Sequence, residues 1–147
     1  MKQRLLTYCL TLASKKATAL ETELNASREG SQSESKSSAG DKHETGRAMM
    51  HLEQEKLHRQ LAEAQSVVAE LQKIDGSIYQ EKIALGSLIK TNKGSFLIAA
   101  GFGKVAFDGT DYFVVSIKAP IAAQLLGKMV GDTINMNGNK FEILSIE

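Results

Sequence analysis

Two carboxylates three residues apart, Asp41 and Glu44, are the residues whose types and spacing best suit chemistry. They lie in a short polar stretch, residues 37–50, between two segments with regular apolar spacing. Two interpretations stay open. Asp and Glu at this spacing form a capping box at a helix start, and their oxygens are also ligands for a hard cation such as Mg²⁺. Since Mg²⁺ demands octahedral oxygen ligands, the second interpretation requires a partner that supplies the remaining ligands.

Other motifs that carry chemistry are missing from the sequence, which has no phosphate-binding GxxxxGK loop, no CxxC pair and no nucleophile constellation. Gly101 and Gly103 are predicted to mark bends at strand ends. His51 and His58 are seven residues apart, ~10.5 Å along a helix, which is too far to share one metal ion. Both are therefore predicted to lie on the surface. The single cysteine, Cys9, cannot form an internal disulfide and is predicted to be packed in a reducing, cytoplasmic protein.

The composition excludes several classes of protein. Hydrophobic residues make up 42% of the 147 residues, enough for a packed core. No apolar run reaches the length of a membrane span. The net charge of +1 argues against binding to nucleic acid by bulk electrostatics. Basic residues scattered through the first 20 positions do not suit a secretory signal.

The first half of the chain carries a heptad pattern, with apolar residues at alternating spacings of four and three. It occurs between Leu6 and Leu24 and again between Leu57 and Leu71. The spacings of the first run, read forwards, match those of the second run, read backwards. Leu20 at the end of one run therefore pairs with Leu57 at the start of the other. This match predicts an antiparallel helical hairpin over residues 1–76 with its acidic tip near residues 37–46.

The hairpin pattern carries two further expectations. Internal pairing predicts a monomer, and a scaffold that dimerises through the first seam is the alternative, which sedimentation would distinguish. Residues 31–38 include five serines, which form helices poorly. The first helix is therefore expected to become irregular beyond Gly30.

The second half, residues 77–147, changes to short β-branched and aromatic segments separated by turn signals. The predicted turns are Asn92-Lys93-Gly94, Asp108-Gly109-Thr110-Asp111 and Asn137-Gly138-Asn139. Pro120 and Gly127 bracket a predicted short helix. These signals predict a small, mostly antiparallel sheet with one helix, so that the chain is of the α+β class.

Both halves together resemble the bacterial Gre transcript cleavage and elongation factors. The stretch "VVSIKAPIAAQLLGKMVGDTINMNGNKFEILSIE" is similar to the signature S-x-x-[SA]-P-[IL]-A, LLGK, VGD and a final EI-x-x-IE of that family, and the match covers roughly residues 83–147. At the predicted tip, "GDKHET" resembles the family's "GDLSEN", which aligns Asp41 and Glu44 with its two acidic residues. The resemblance implies an FKBP-like fold for the sheet domain.

The same resemblance implies a function in which the protein is not itself an enzyme. The sheet domain would dock on RNA polymerase, and the hairpin would enter the secondary channel. Asp41 and Glu44 would help to hold the second Mg²⁺ of the polymerase, which then cleaves the 3′ end of backtracked nascent RNA. Lys42, His43 and Thr45 depart from the family pattern, so that a channel regulator that does not cleave is the alternative. An isomerase of prolyl peptides, suggested only by the FKBP-like architecture, is a hypothesis from a different class.

Overall fold

The computed structural model describes the backbone of residues 1–35 and 40–147 and the side chains of residues 1–30 and 44–147. Two long helices are followed by a mixed sheet that contains one short helix. The α+β class predicted from the sequence is confirmed. The elements are α1 (Lys2–Ser35), α2 (Gly40–Gln72), β1 (Leu88–Thr91), β2 (Gly94–Ala99), β3 (Gly103–Phe107), β4 (Thr110–Ser116), α3 (Pro120–Leu125), β5 (Thr133–Met136) and β6 (Asn139–Ile146).

The chain packs as two compact units. The sheet unit consists of Met1–Thr11 and Ala69–Glu147, and the helical unit consists of Leu12–Val68. The first turns of α1 and the end of α2 are therefore packed with the sheet. The domain boundary predicted after residue 76 follows a change of composition and stays a prediction.

The helical unit is an antiparallel pair built on the predicted seam. Ala13, Leu24, Leu57 and Ala64, all positions of the two heptad runs, are buried in it. Small residues at Ala13 and Ala64 allow two helices to approach closely, while the leucines supply buried apolar area. The predicted hairpin pairing of α1 with α2 accounts for all four.

The register predicted for the two helices stays a prediction beyond Leu24. The Gln54 side-chain amide donates to the Ser27 carbonyl oxygen at 3.3 Å, and a side chain of that length reaches across about one helical turn. Beyond Leu24, α1 has no large apolar residue to fix the register.

The expected loss of helix beyond Gly30 was wrong, because α1 extends to Ser35. Each serine costs only a few tenths of a kcal/mol in a helix relative to alanine. The backbone at Gly30 lies close to α2, since a β-carbon there would lie 3.4 Å from the Met50 methyl group. The predicted bend at residues 38–39 lies outside the described residues.

The sheet consists of three antiparallel hairpins placed side by side in the order β3-β4-β2-β1-β6-β5. Each hairpin joins strands that are consecutive in the chain. β1 pairs antiparallel with β6, which joins the first hairpin to the third. β2 pairs parallel with β4 over Ser95–Ala99 and Tyr112–Ser116, which joins the first to the second.

Two of the hairpin turns need residues with positive φ. Asp108 and Gly109 have φ values of 50° and 74°, and Asn137 and Gly138 have values of 50° and 77°. Such pairs form the two-residue turns whose twist matches the flanking strands, and Asp-Gly and Asn-Gly are their preferred sequences. The turns predicted at these sites are confirmed.

Helix α3 covers one face of the sheet. Its Ala122 and Leu125 are buried against Phe96 and Ile98 of β2 and Ile143 of β6. Pro120 starts this helix, as predicted. Alternate strand residues point to the opposite face.

The first turns of α1 lie at that opposite face. Leu97 and Val114 of the sheet are fully buried there, as are Leu5 and Cys9 of α1. Tyr8 packs on Phe107 with 5.0 Å between the ring centroids. The N-terminal turns thus complete the core of the sheet unit.

Candidate functional site

Asp41 and Glu44 both lie in the first turns of α2, which begins at Gly40. The side chain of Glu44 is exposed. The side chains of Asp41, Lys42 and His43 lie outside the described residues. Residues three apart in a helix lie on one face, so the backbone gives Asp41 and Glu44 a common side. The capping box and the cation-ligand interpretations both stay predictions.

The two helices are joined by polar contacts a few turns along α2. The Arg28 guanidinium donates to Nε2 of His58 at 3.1 Å. His51 and His58 are both exposed, as predicted.

Two exposed apolar side chains of α2 were missed by the sequence analysis. Met49 and Leu52 are 67% and 66% exposed. Their spacing of three places them on one side of the helix. Leu57 and Met50 share the seam spacing of seven, whereas Met49 and Leu52 are out of phase with it. That phase difference is the signal by which they could have been found.

No group of three or more metal-ligating side chains occurs in the part of the chain whose side chains are described. Among the described side chains, Glu44 therefore does not belong to a cluster of metal ligands. Any Mg²⁺ bound there would take most of its six ligands from water or from a partner.

The stretch that carries the family resemblance supplies the core and turns of the sheet unit. Ala122, Leu125 and Ile143 within it are buried. The Asp132 carboxylate accepts from the Met129 backbone N–H at 2.8 Å, and Gly131 between them has a φ of 92°. Burial and turn geometry are sufficient reasons for these residue types, so the resemblance in this stretch concerns the fold.

Three titratable groups of the sheet unit, Cys9, Asp75 and Glu147, have shifted pKa values. Burial raises the pKa of the Cys9 thiol to about 11. Hydrogen bonds from the Ser77 hydroxyl and backbone N–H lower the pKa of Asp75, at distances of 2.6 Å and 2.9 Å. Cys9 is thus an inert, packed thiol, as predicted, because the thiolate is the reactive form.

No helix in the described part of the chain is long and apolar enough to cross a membrane. No family model matches the chain. No curated protein matches it. Among solved structures, the chain is similar to that of the transcription factor Gfh1, at 18% identity and a TM-score of 0.36, over 89% of this chain and 92% of that chain.

Proposed function

We propose that this protein is a transcription elongation factor that binds RNA polymerase. In this proposal the hairpin of α1 and α2 enters the secondary channel, and the sheet unit docks on the polymerase surface. The protein stimulates cleavage of backtracked RNA and is not itself an enzyme. The observation that carries the proposal is the exposed carboxylate of Glu44 in the first turns of α2, three residues from Asp41.

The chemistry of the carboxylates supports this role. Asp41 and Glu44 would provide two oxygen ligands to a Mg²⁺ ion that is held mainly by the polymerase. When bound, this ion would supply charge stabilisation and an activated water. Carboxylates are the side chains this ion prefers. A helix holds the two residues at fixed spacing, so their contribution requires no large rearrangement of this chain.

The fold supports the delivery of these carboxylates. α1 and α2 have 34 and 33 residues. At a rise of 1.5 Å per residue, each is about 50 Å long. A helix of that length is able to carry a functional group far into a narrow passage.

A channel regulator that does not cleave RNA is the second candidate. It is favoured by Lys42, His43 and Thr45, which depart from the family pattern "GDLSEN". Positive charge at Lys42 beside the carboxylates would lower their affinity for a cation. Such a protein would bind polymerase without shortening the transcript.

The decisive experiment uses backtracked transcription complexes with labelled RNA, Mg²⁺ and the full-length protein. Shortening of the RNA from its 3′ end is expected with the wild-type protein. Asp41→Asn and Glu44→Gln should each lower the cleavage rate at least tenfold, because each removes one ligand charge. Glu63→Gln is the matched control, since Glu63 is an exposed carboxylate further along α2.

A binding measurement separates the two candidates. Both Asp41→Asn and wild type should bind polymerase with similar affinity and compete with each other. Binding without any cleavage by the wild-type protein would identify the regulator. If the protein did not bind polymerase at all, both candidates would be wrong.

A further inference from the structure

The sheet unit contains a cavity of about 160 Å³ that the proposed function does not use. The side chains around it include two cations, one carboxylate and three aliphatic groups: Lys2, Lys73, Asp75, Ile74, Ile78 and Leu85. In liquid water each molecule occupies about 30 Å³. The cavity thus has room for a molecule of a few non-hydrogen atoms.

Lys2 is the unusual member of this cavity. It is only 3% exposed, and its Nζ donates to the Ile78 carbonyl oxygen. An ammonium group carries three donors, and no carboxylate in the described part of the chain lies within ion-pair distance of Lys2 Nζ. A buried charge without a counter-ion is costly. Lys2 is therefore short of an anionic partner.

The nearest acidic groups are engaged elsewhere. One oxygen of the Asp75 carboxylate accepts both hydrogen bonds from Ser77. Oε1 of Glu147 accepts from the backbone N–H of Lys2 and from the terminal amine of Met1. The charge of Lys2 contributes to lowering the pKa of both acids, but only as a minor cause. Neither of them supplies a direct ion pair to Lys2.

The remaining side chains around the cavity favour a ligand with an apolar part. Ile74, Ile78 and Leu85 present aliphatic surface. The Gln80 side chain is already bonded, accepting from the Ser87 hydroxyl at 2.6 Å and donating to the Leu85 carbonyl oxygen at 3.3 Å. Gln80 therefore frames the cavity and leaves ligand recognition to the cations and the aliphatic wall.

We propose that this cavity binds a small monocarboxylate with a short aliphatic tail. The carboxylate pairs with Lys2, assisted by Lys73, and the tail packs on Ile74, Ile78 and Leu85. A single negative charge fits better than two, because the Asp75 carboxylate also lines the cavity and repels an anion. The ligand class follows from one buried cation, one nearby acid and an aliphatic wall.

The test titrates the full-length protein with butyrate while the backbone amide resonances are followed by NMR. Amides of Ile78, Leu85 and Gly86 should shift and saturate, with a midpoint in the millimolar range expected for about six non-hydrogen atoms. Butylamine has the same tail and the opposite charge, butanol has no charge, and inorganic phosphate has no tail. Each of these three should bind at least tenfold more weakly than butyrate.

Substitutions assign the site to its residues. Lys2→Met removes the charge while keeping a long apolar side chain, and should weaken butyrate binding at least tenfold, which corresponds to about 1.4 kcal/mol. Lys118→Met is the matched control, because Lys118 is an exposed lysine of the same unit. Leu85→Glu adds a negative charge at the cavity on a side chain that is 43% exposed. It should also weaken binding, which keeps the test valid if Lys2→Met does not fold.

Three results would overturn carboxylate binding at this cavity. Equal binding of butyrate and butylamine would rule out recognition by Lys2. Tighter binding of inorganic phosphate would rule out the aliphatic part of the site. Unchanged butyrate binding in folded Lys2→Met or Leu85→Glu would place the ligand elsewhere. The isolated protein is sufficient for every arm, so these results are independent of polymerase binding.

Discussion

The backbone of Gly76 packs directly against Gln3 of α1. A β-carbon built at Gly76 would lie 2.4 Å from the Gln3 side-chain oxygen, 3.0 Å from its Cα and 2.9 Å from a methyl group of Leu6. The flexible oxygen is able to move, but the Cα of Gln3 belongs to a helix and is held in place. Residue 76 is therefore a point of contact within the sheet unit at which only glycine fits without displacement.

Gly76→Ala is expected to lower the free energy of unfolding by roughly 1–3 kcal/mol, the usual cost of overpacking. Urea denaturation followed by circular dichroism would measure it. Gly101→Ala is the control, because a β-carbon at Gly101 meets nothing within 4 Å. The control should change stability by less than about 0.5 kcal/mol. Equal effects of the two substitutions would contradict the packing at Gly76.

Leu57→Ala should destabilise the helical unit, because Leu57 is buried in the seam. The expected loss is about 2–4 kcal/mol, typical of a buried leucine replaced by alanine. Hydrogen exchange should accelerate at amides of the helical unit while the sheet amides keep their protection. Leu52→Ala removes a leucine of the same helix that is 66% exposed, and should leave exchange almost unchanged. Similar acceleration by both variants would argue against the seam.

The thiol of Cys9 makes the free energy of unfolding depend on pH in the alkaline range. Its pKa is about 11 in the folded protein, and it is near 8.5 in an unfolded chain. The stabilisation is complete below the unfolded value and is lost as the pH rises through the folded one, on the order of 3 kcal/mol in all. Cys9→Ala should lose less stability than wild type between pH 8.5 and 11, in urea unfolding at fixed temperature. Parallel pH profiles would show that the thiol does not contribute.

Ser77→Ala should raise the pKa of Asp75 towards its ordinary value, because the Ser77 hydroxyl bond is the largest cause that lowers it. A carboxyl group whose pKa is lower in the folded protein stabilises the fold at pH values above its unfolded pKa. That stabilisation is lost as the pH falls through its folded pKa. NMR titration of the Asp75 side-chain carbon would measure the change. Ser145→Ala, at an exposed serine of β6, should leave this titration unaltered. An unchanged titration in Ser77→Ala would contradict the bond.

Local features of the fold were predictable from the sequence because each depends on a few neighbouring residues. Asp108-Gly109 and Asn137-Gly138 tolerate positive φ, which fixes two hairpin turns. Leu24 and Leu57 belong to two runs of heptad spacing, and each run indicates by itself a helix with one buried apolar side. These signals do not depend on the rest of the chain.

Long-range features were not predictable. No local pattern indicates that β2 pairs with β4 in parallel, since both strands also fit antiparallel neighbours. Similarly, the cavity depends on Lys2 meeting residues more than seventy positions away. At the candidate tip, the sequence identified Asp41 and Glu44 by type and spacing, but Glu44 alone has a described side chain.

The parallel pairing of β2 with β4 bears on the order in which the sheet assembles. Each of the three hairpins closes a loop of a few residues and is able to form within microseconds. The β2–β4 and β1–β6 pairings connect segments that are distant in the chain, and pairings of that kind slow folding. We expect the rate-limiting step to be the docking of preformed two-stranded ribbons. A substitution at the β2–β4 junction should therefore slow refolding more than one in a turn.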